Sequence, residues 1–141
     1  MKNKTSVLKG DTVKRNWHLV DLSGQTLGRI CVDIANLLMG KHKTTYSAHR
    51  DDGDYVVAIN ASQIKVTGHK AKEKMYYHHT TYAGHLKELT FSQLMAKDPR
   101  RIISHGVAGM LPKNRLRDLR LRRLKIFAAG EHPYSDKFKK S

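Results

Sequence analysis

A chain of 141 residues with 39% hydrophobic content and a formal net charge of +15 suits one domain and one core, with the long basic side chains left outside. Its single cysteine, Cys31, excludes an internal disulfide framework, and no stretch approaches the roughly 18 apolar residues of a membrane-spanning helix. A pI near 10.1, with basic residues in the N-terminal arm, the middle and the C-terminal half, points to a polyanionic partner and to nucleic acid before any other.

Met1 to Gly10 carries three lysines and no apolar run. It reads as a basic arm (residues 1–11) rather than a secretory signal. Asn16 to Asp21 predicts a first strand, ended by the turn residues Ser23 and Gly24. A helix should follow, because Leu27, Ile30, Cys31, Ile34, Leu37 and Leu38 recur at three- and four-residue spacing and Gly40 sits where a helix stops. The loop from Gly40 to His49 interleaves cations, hydroxyls and Tyr46 with no acid. It is no nucleotide-binding loop, since His42 replaces the Ser or Thr after Gly-Lys and the earlier glycine is missing. Tyr55 to Asn60 is a continuous apolar run of the kind found in a strand buried on both faces.

Asp51, Asp52 and Asp54 precede that strand. Three carboxylates so close can hold a hard divalent cation, but capping and closing the loop around Gly53 is the plainer role. Ser62 to Thr67 predicts another short strand, Gly68 to Lys74 a basic turn, and Met75 to Thr80 a strand or extended segment. His78, His79 and His85 lie close together, yet adjacent histidines on a strand face opposite ways and no CxxC or HExxH pattern completes a tetrahedral site. No metal site is expected from this spacing; contact with RNA, as a phosphate donor or stacked on an unpaired base, or plain structural packing is the favoured role.

Thr90 predicts a helix cap before Phe91, Leu94 and Met95, and Asp98-Pro99 restarts a helix with Ile102, Ile103 and Val107 on its core side, stopped by Pro112. Between Lys113 and Lys125 seven Lys or Arg residues stand against one acid, Asp118. Such an imbalance calls for an external anion. Leu116, Leu119 and Leu124 share a helical face, and Leu124, Ile126 and Ala128 alternate as in a strand, so a short basic helix should run into a buried strand. Its arginines would sit on a scaffold rather than in a free tail. Residues 131–141 read as an extended basic tail laid on a partner. The order of elements predicts an α/β class, a single three-layer α/β/α domain (residues 12–130) around a largely parallel sheet.

Several segments together resemble the bacterial-type large-subunit ribosomal protein L13 family. They are Gly40-Lys-His-Lys with Tyr46 and His49; Asp51, Gly53, Asp54 and Tyr55; Val66-Thr67-Gly68; Lys74 with Tyr76-Tyr77-His78-His79-Thr80; Gly109-Met110-Leu111-Pro112-Lys113; and Glu131-His132-Pro133. Two positions depart from the family pattern: Leu116-Arg117-Asp118 stands where Leu-Gly-Arg is usual, and His85 replaces a glycine. The resemblance, spanning roughly Thr12 to Pro133, implies a non-catalytic constituent of the large subunit, cytoplasmic, monomeric within the ribosome and early to assemble. It implies large-subunit ribosomal RNA and neighbouring ribosomal proteins as partners, with repression of its own messenger RNA as a secondary role of some members.

On this reading, phosphate and base contacts fall to Lys41, His42, Lys43 and Tyr46; to Lys70, Lys72, Lys74, His78 and His79; and to Lys113, Asn114, Arg115, Arg117, Arg120, Arg122, Arg123 and Lys125. No cofactor, small-molecule substrate or membrane is expected. The competing classes are an RNA-processing enzyme using a histidine or the Asp51 to Asp54 carboxylates, and a DNA-compacting protein.

Overall fold

The computed structural model describes residues 13–138. The expected N-terminal arm lies outside them, as do residues 139–141. Strand β1 (Trp17–Asp21) leads into helix α1 (Leu27–Met39), and β2 (Tyr55–Ile59) pairs parallel to β1 with Trp17 opposite Tyr55 and Asp21 opposite Ile59. The third strand, β5 (Leu124–Ile126), pairs parallel to the other edge of β2. The apolar run at 55–59 is therefore the central strand of a β1-β2-β5 sheet. Its residues Val56, Val57 and Ala58 are fully buried.

On one face lie α1 and α4 (Pro99–Met110), whose residues Leu27, Cys31, Ile34, Leu38, Ile102, Ile103 and Val107 form the core with Val56 and Ala58. The two helices approach closely because Gly106 lacks a side chain: a Cβ there would lie 2.8 Å from Cys31 Sγ. The C-terminal segment packs on the opposite face at its Trp17 and Tyr55 end, while Leu19 on that face stays 47% exposed. Trp17 stacks on Tyr55 at 4.4 Å between ring centroids and on Tyr134 at 5.2 Å, with Phe138 of the short helix α6 (Ser135–Phe138) edge-on. The described part of the expected extended tail thus folds back onto the chain's own sheet. Its aromatic side chains shield a strand face that would otherwise meet water.

A second sheet is an antiparallel hairpin, β3 (Met75–His79) with β4 (Leu86–Thr90), entered through the single-turn helix α2 (Lys70–Glu73). Strand β4 was not foreseen, because its sequence Leu-Lys-Glu-Leu-Thr carries no β-branched or aromatic run. His85, where a glycine was expected, is accommodated because Gly84 takes the left-handed conformation (φ 75) in its place. Thr90 closes the hairpin and opens α3 (Phe91–Lys97) with a reciprocal cap: its Oγ1 accepts the Gln93 amide at 3.3 Å and Gln93 Oε1 accepts the Thr90 amide at 2.9 Å.

Two expectations fail locally. Ser62 to Thr67 forms no strand; a 3-10 turn (Ala61–Gln63) leads to one isolated bridge between Lys65 and Thr26. In α5 (Leu116–Arg122) the inward stripe is Leu116, Arg120 and, just beyond the helix, Arg123, whereas Leu119 is 44% exposed. The spacing of 116, 120 and 123 fits a helical face as well as the leucine pattern does, and ion pairing selected the arginines for it.

Candidate nucleic-acid interface

The loop before β2 is the electrostatic centre of the molecule. It lies hard against the end of α1: a Cβ on Gly53 would fall 1.7 Å from the Leu38 carbonyl oxygen, so only glycine fits. From this loop Asp51 grips the Arg123 guanidinium with both oxygens, Nη2 donating to Oδ1 at 2.6 Å and Nη1 to Oδ2. Arg123 Nη2 also donates to the Leu38 carbonyl at 3.1 Å, one of the carbonyls that helix geometry leaves unpaired. Arg120 Nε lies 3.7 Å from Asp51 Oδ1 and its Nη2 donates to the Arg50 carbonyl at 3.2 Å. Arg15 completes the cluster, donating to the carbonyls of Gly53 at 2.8 Å and Asp51 at 3.0 Å. Arg50 pairs with the buried Asp52 at 3.4 Å.

Asp54 organises the other side. It is fully buried, and its Oδ1 accepts the Asn16 amide at 3.0 Å and the Lys43 ammonium. Oδ2 faces His18 Nε2 at 2.8 Å and His42 Nε2 at 2.9 Å. Burial pushes the Asp54 carboxyl up, but the hydrogen bonds from Lys43, His18 and the Asn16 amide outweigh it and hold the group below the usual carboxylate range. The plain capping role expected for these aspartates is thus only part of what they do: they neutralise cations drawn from the whole chain.

This corrects several candidate contacts. Arg120 and Arg123 are 1% and 7% exposed and turned inward, so their guanidinium groups do not face a partner. Lys43 likewise points in, donating to the carbonyls of Lys14 at 2.8 Å and Asp52 at 2.9 Å as well as to Asp54. Tyr46 is half-buried against the core. The reason is tertiary: the acid that claims both Arg120 and Arg123, Asp51, lies about seventy positions earlier in the chain, where a local charge count does not look.

The remaining candidates are on the surface. Lys41 and, more loosely, His42 edge the loop; Lys70, Lys72 and Lys74 are exposed on and after α2; His78 and His79 are exposed on β3 beside Tyr77, itself 61% exposed. Lys113, Asn114, Arg115 and Arg122 are exposed around α5, and Arg117 and Lys125 are half-buried. Asn114 Oδ1 accepts the Leu116 amide at 3.1 Å, so that side chain starts the helix. Asp118, the departure from the family's glycine-containing pattern, sits in the first turn of α5, where an acid is favoured by the helix dipole. Among the described residues, none of Lys41, Lys70, Lys72, Lys113, Arg115 and Arg122 lies within ion-pairing distance of a carboxylate.

Sequence reasoning missed a further basic surface. A groove of about 330 Å³ between the hairpin and α3–α4 is lined by His78, Lys87, Lys97, Arg101 and His105. Its one legible signal is Lys97, Arg101 and His105 at four-residue spacing, interrupted by the helix break at Asp98. Cys31 offers no reactive thiol, because burial pushes it up to about 11 despite the nearby Lys74 charge. No helix among the described residues is long and apolar enough to cross a membrane.

Comparison with known proteins gives the family of the chain. Residues 15–133 match the model of the family described as ribosomal protein L13. The chain is 52% identical over 132 residues to the large ribosomal subunit protein uL13 of Pseudomonas putida (strain W619), 51% to that of Thioalkalivibrio sulfidiphilus and 48% to that of Hahella chejuensis. Each match covers 94% of this chain and 93% of the relative. The chain belongs to the ribosomal protein L13 family.

Proposed function

We propose that this chain is an RNA-binding structural constituent of the large ribosomal subunit, working in the cytoplasm as a single copy and without catalysis. The observation that carries the reading is the sorting of its charge. Acids and cations are paired inside around Asp51 and Asp54, while Lys41, Lys70, Lys72, Lys113, Arg115 and Arg122 face outward with no carboxylate within ion-pairing distance among the described residues. A surface of this kind is stabilised by a polyanion, and release of condensed counterions drives the association. The exposed Tyr77, His78 and His79 on a protruding hairpin add groups that stack on or donate to unpaired bases, a mode suited to folded RNA rather than to duplex DNA.

A self-contained core and an internally neutralised scaffold favour a binding surface already formed before RNA arrives. That supports early entry into subunit assembly, since the protein pays little ordering entropy on binding. The same shape-and-phosphate contacts serve the secondary role toward messenger RNA implied by the resemblance.

Two measurements test the reading. The protein should stay with large-subunit particles on a sucrose gradient through a high-salt wash; a chain found only at the top of the gradient sinks it. Purified protein should prefer large-subunit over small-subunit ribosomal RNA in competition binding, and equal binding to both and to duplex DNA would reduce it to a general polycation.

A further inference from the structure

We infer that His18 Nε2, His42 Nε2 and Asp54 Oδ2 form a divalent transition-metal site of the zinc type. The three ligand atoms lie within 4.8 Å of one another, contributed by a strand, a loop and the residue preceding the central strand. Spacing along the sequence hid this set, because positions 18, 42 and 54 form no short motif; the sheet register brings β1 beside β2 and the Gly40 turn folds His42 over both. The inference stands independently of RNA binding.

The geometry suits a metal held by three protein ligands. Tetrahedral coordination with bonds near 2.0–2.2 Å separates neighbouring ligand atoms by about 3.3 Å. Here both imidazole nitrogens stand 2.8–2.9 Å from Oδ2, so each need draw back from that oxygen by only about half an ångström. The rings are nearly perpendicular, at 81°, with centroids 5.6 Å apart, so both Nε2 atoms reach one point without the rings clashing. Two imidazoles and one carboxylate oxygen favour Zn²⁺, Co²⁺ or Ni²⁺ over Mg²⁺ or Ca²⁺, which prefer oxygen alone.

The carboxylate is already fixed for the purpose. Its other oxygen is occupied by the Asn16 amide and the Lys43 ammonium, which orient the side chain and leave Oδ2 to the two histidines. Without metal each Nε2–H donates to Oδ2; metal binding replaces those two hydrogen bonds and leaves each ring proton on Nδ1, and among the described residues neither Nδ1 is engaged by the protein. The two imidazole side chains are about one-third exposed, so the fourth position opens to solvent. Lys43, bound to the other oxygen of Asp54, opposes a dication, and the affinity expected is micromolar rather than tighter.

The test titrates the full-length protein with Co²⁺, read by visible d–d absorption, and with Zn²⁺ in competition with a chromophoric chelator. One ion per chain should bind at micromolar concentration with the absorption of four- or five-coordinate cobalt. His18→Gln and His42→Gln should each weaken binding at least tenfold, while a His78→Gln/His79→Gln control should leave it unchanged. Binding insensitive to His18 and His42, or no saturable binding at micromolar metal, overturns the site. Should the two variants fail to fold, the wild-type protein decides by nitrogen NMR of its imidazoles: Zn²⁺ should shift the Nε2 resonances of His18 and His42 among the nine histidines, and shifts confined to other histidines reject the inference.

Discussion

Two sets of arginines on and beside one seven-residue helix have opposite fates. Arg115 and Arg122, flanking and within α5, face solvent, while Arg120 and Arg123, on either side of Arg122 in the sequence, are sealed against Asp51. Composition cannot separate them, since all four sit in the same basic run. What separates them is helical phase together with carboxylates from a distant loop: the face that carries Leu116 inward also carries 120 and 123. A guanidinium can join such an interior because its fork satisfies a carboxylate and a backbone carbonyl together, as Arg123 does with Asp51 and Leu38. The charge of the chain is thus partly structural and partly available to a partner.

The comparison breaks most sharply at Asp51. Asp51→Ala should leave Arg123 and Arg120 buried without an anion and destabilise the protein by about 3–5 kcal/mol, the cost of removing one partner of a buried ion pair. Urea denaturation would measure it. A loss below about 1 kcal/mol would mean that the cluster behaves as a surface salt bridge, and the distinction between inner and outer arginines would fail.

A carboxylate in the open sharpens the contrast. Asp98 caps α4, its Oδ1 accepting the Arg100 amide at 3.2 Å and the Arg100 Nε–H at 2.9 Å, with Pro99 in the first helical turn. The hydrogen bond from the Arg100 side chain, against the opposing effect of burial and with help from the Arg100 amide and the Arg100 and Arg101 charges, holds the Asp98 carboxyl below its ordinary value. Its contribution is therefore present above the unfolded-state pKa and lost as pH falls through the lower folded-state value. Asp98→Ala should cost about 1 kcal/mol at neutral pH, several times less than Asp51→Ala, and the gap from wild type should close as the acid range is entered. A gap that stays constant with pH would assign the effect to something other than the charged cap.

The architecture was largely legible from local pattern. β1, α1, β2, the Thr90 and Asp98 caps and the passage from α5 to β5 all follow from periodicity and capping chemistry. What escaped was whatever depends on pairing across the chain. β4 is defined by β3 rather than by its own residues, the tail is held by stacking on Trp17, and Lys43, Arg120 and Arg123 are drawn inward by aspartates remote in sequence or hidden in a loop. His18 was passed over for a related reason: a lone histidine in an apolar strand gains meaning only when His42 and Asp54 meet it.

The smallest change in stability belongs to the outward pair. Arg115→Ala with Arg122→Ala removes two exposed side chains without internal ion pairs among the described residues, so unfolding free energy should move by no more than about 0.5 kcal/mol. RNA binding should respond instead. Each phosphate contact contributes roughly 0.7 to 0.9 to the slope of log affinity against log salt, so the double variant should lower that slope by about 1.4 to 1.8. Affinity measured at several salt concentrations separates this from a general loss of structure, which would lower affinity together with the unfolding midpoint. An unchanged slope in a fully folded variant would remove α5 from the RNA interface and leave the Lys70 to His79 surface and the groove beside Arg101 to carry it. A lowered slope with unaltered stability would show that one short helix divides its arginines between holding the fold and holding the partner.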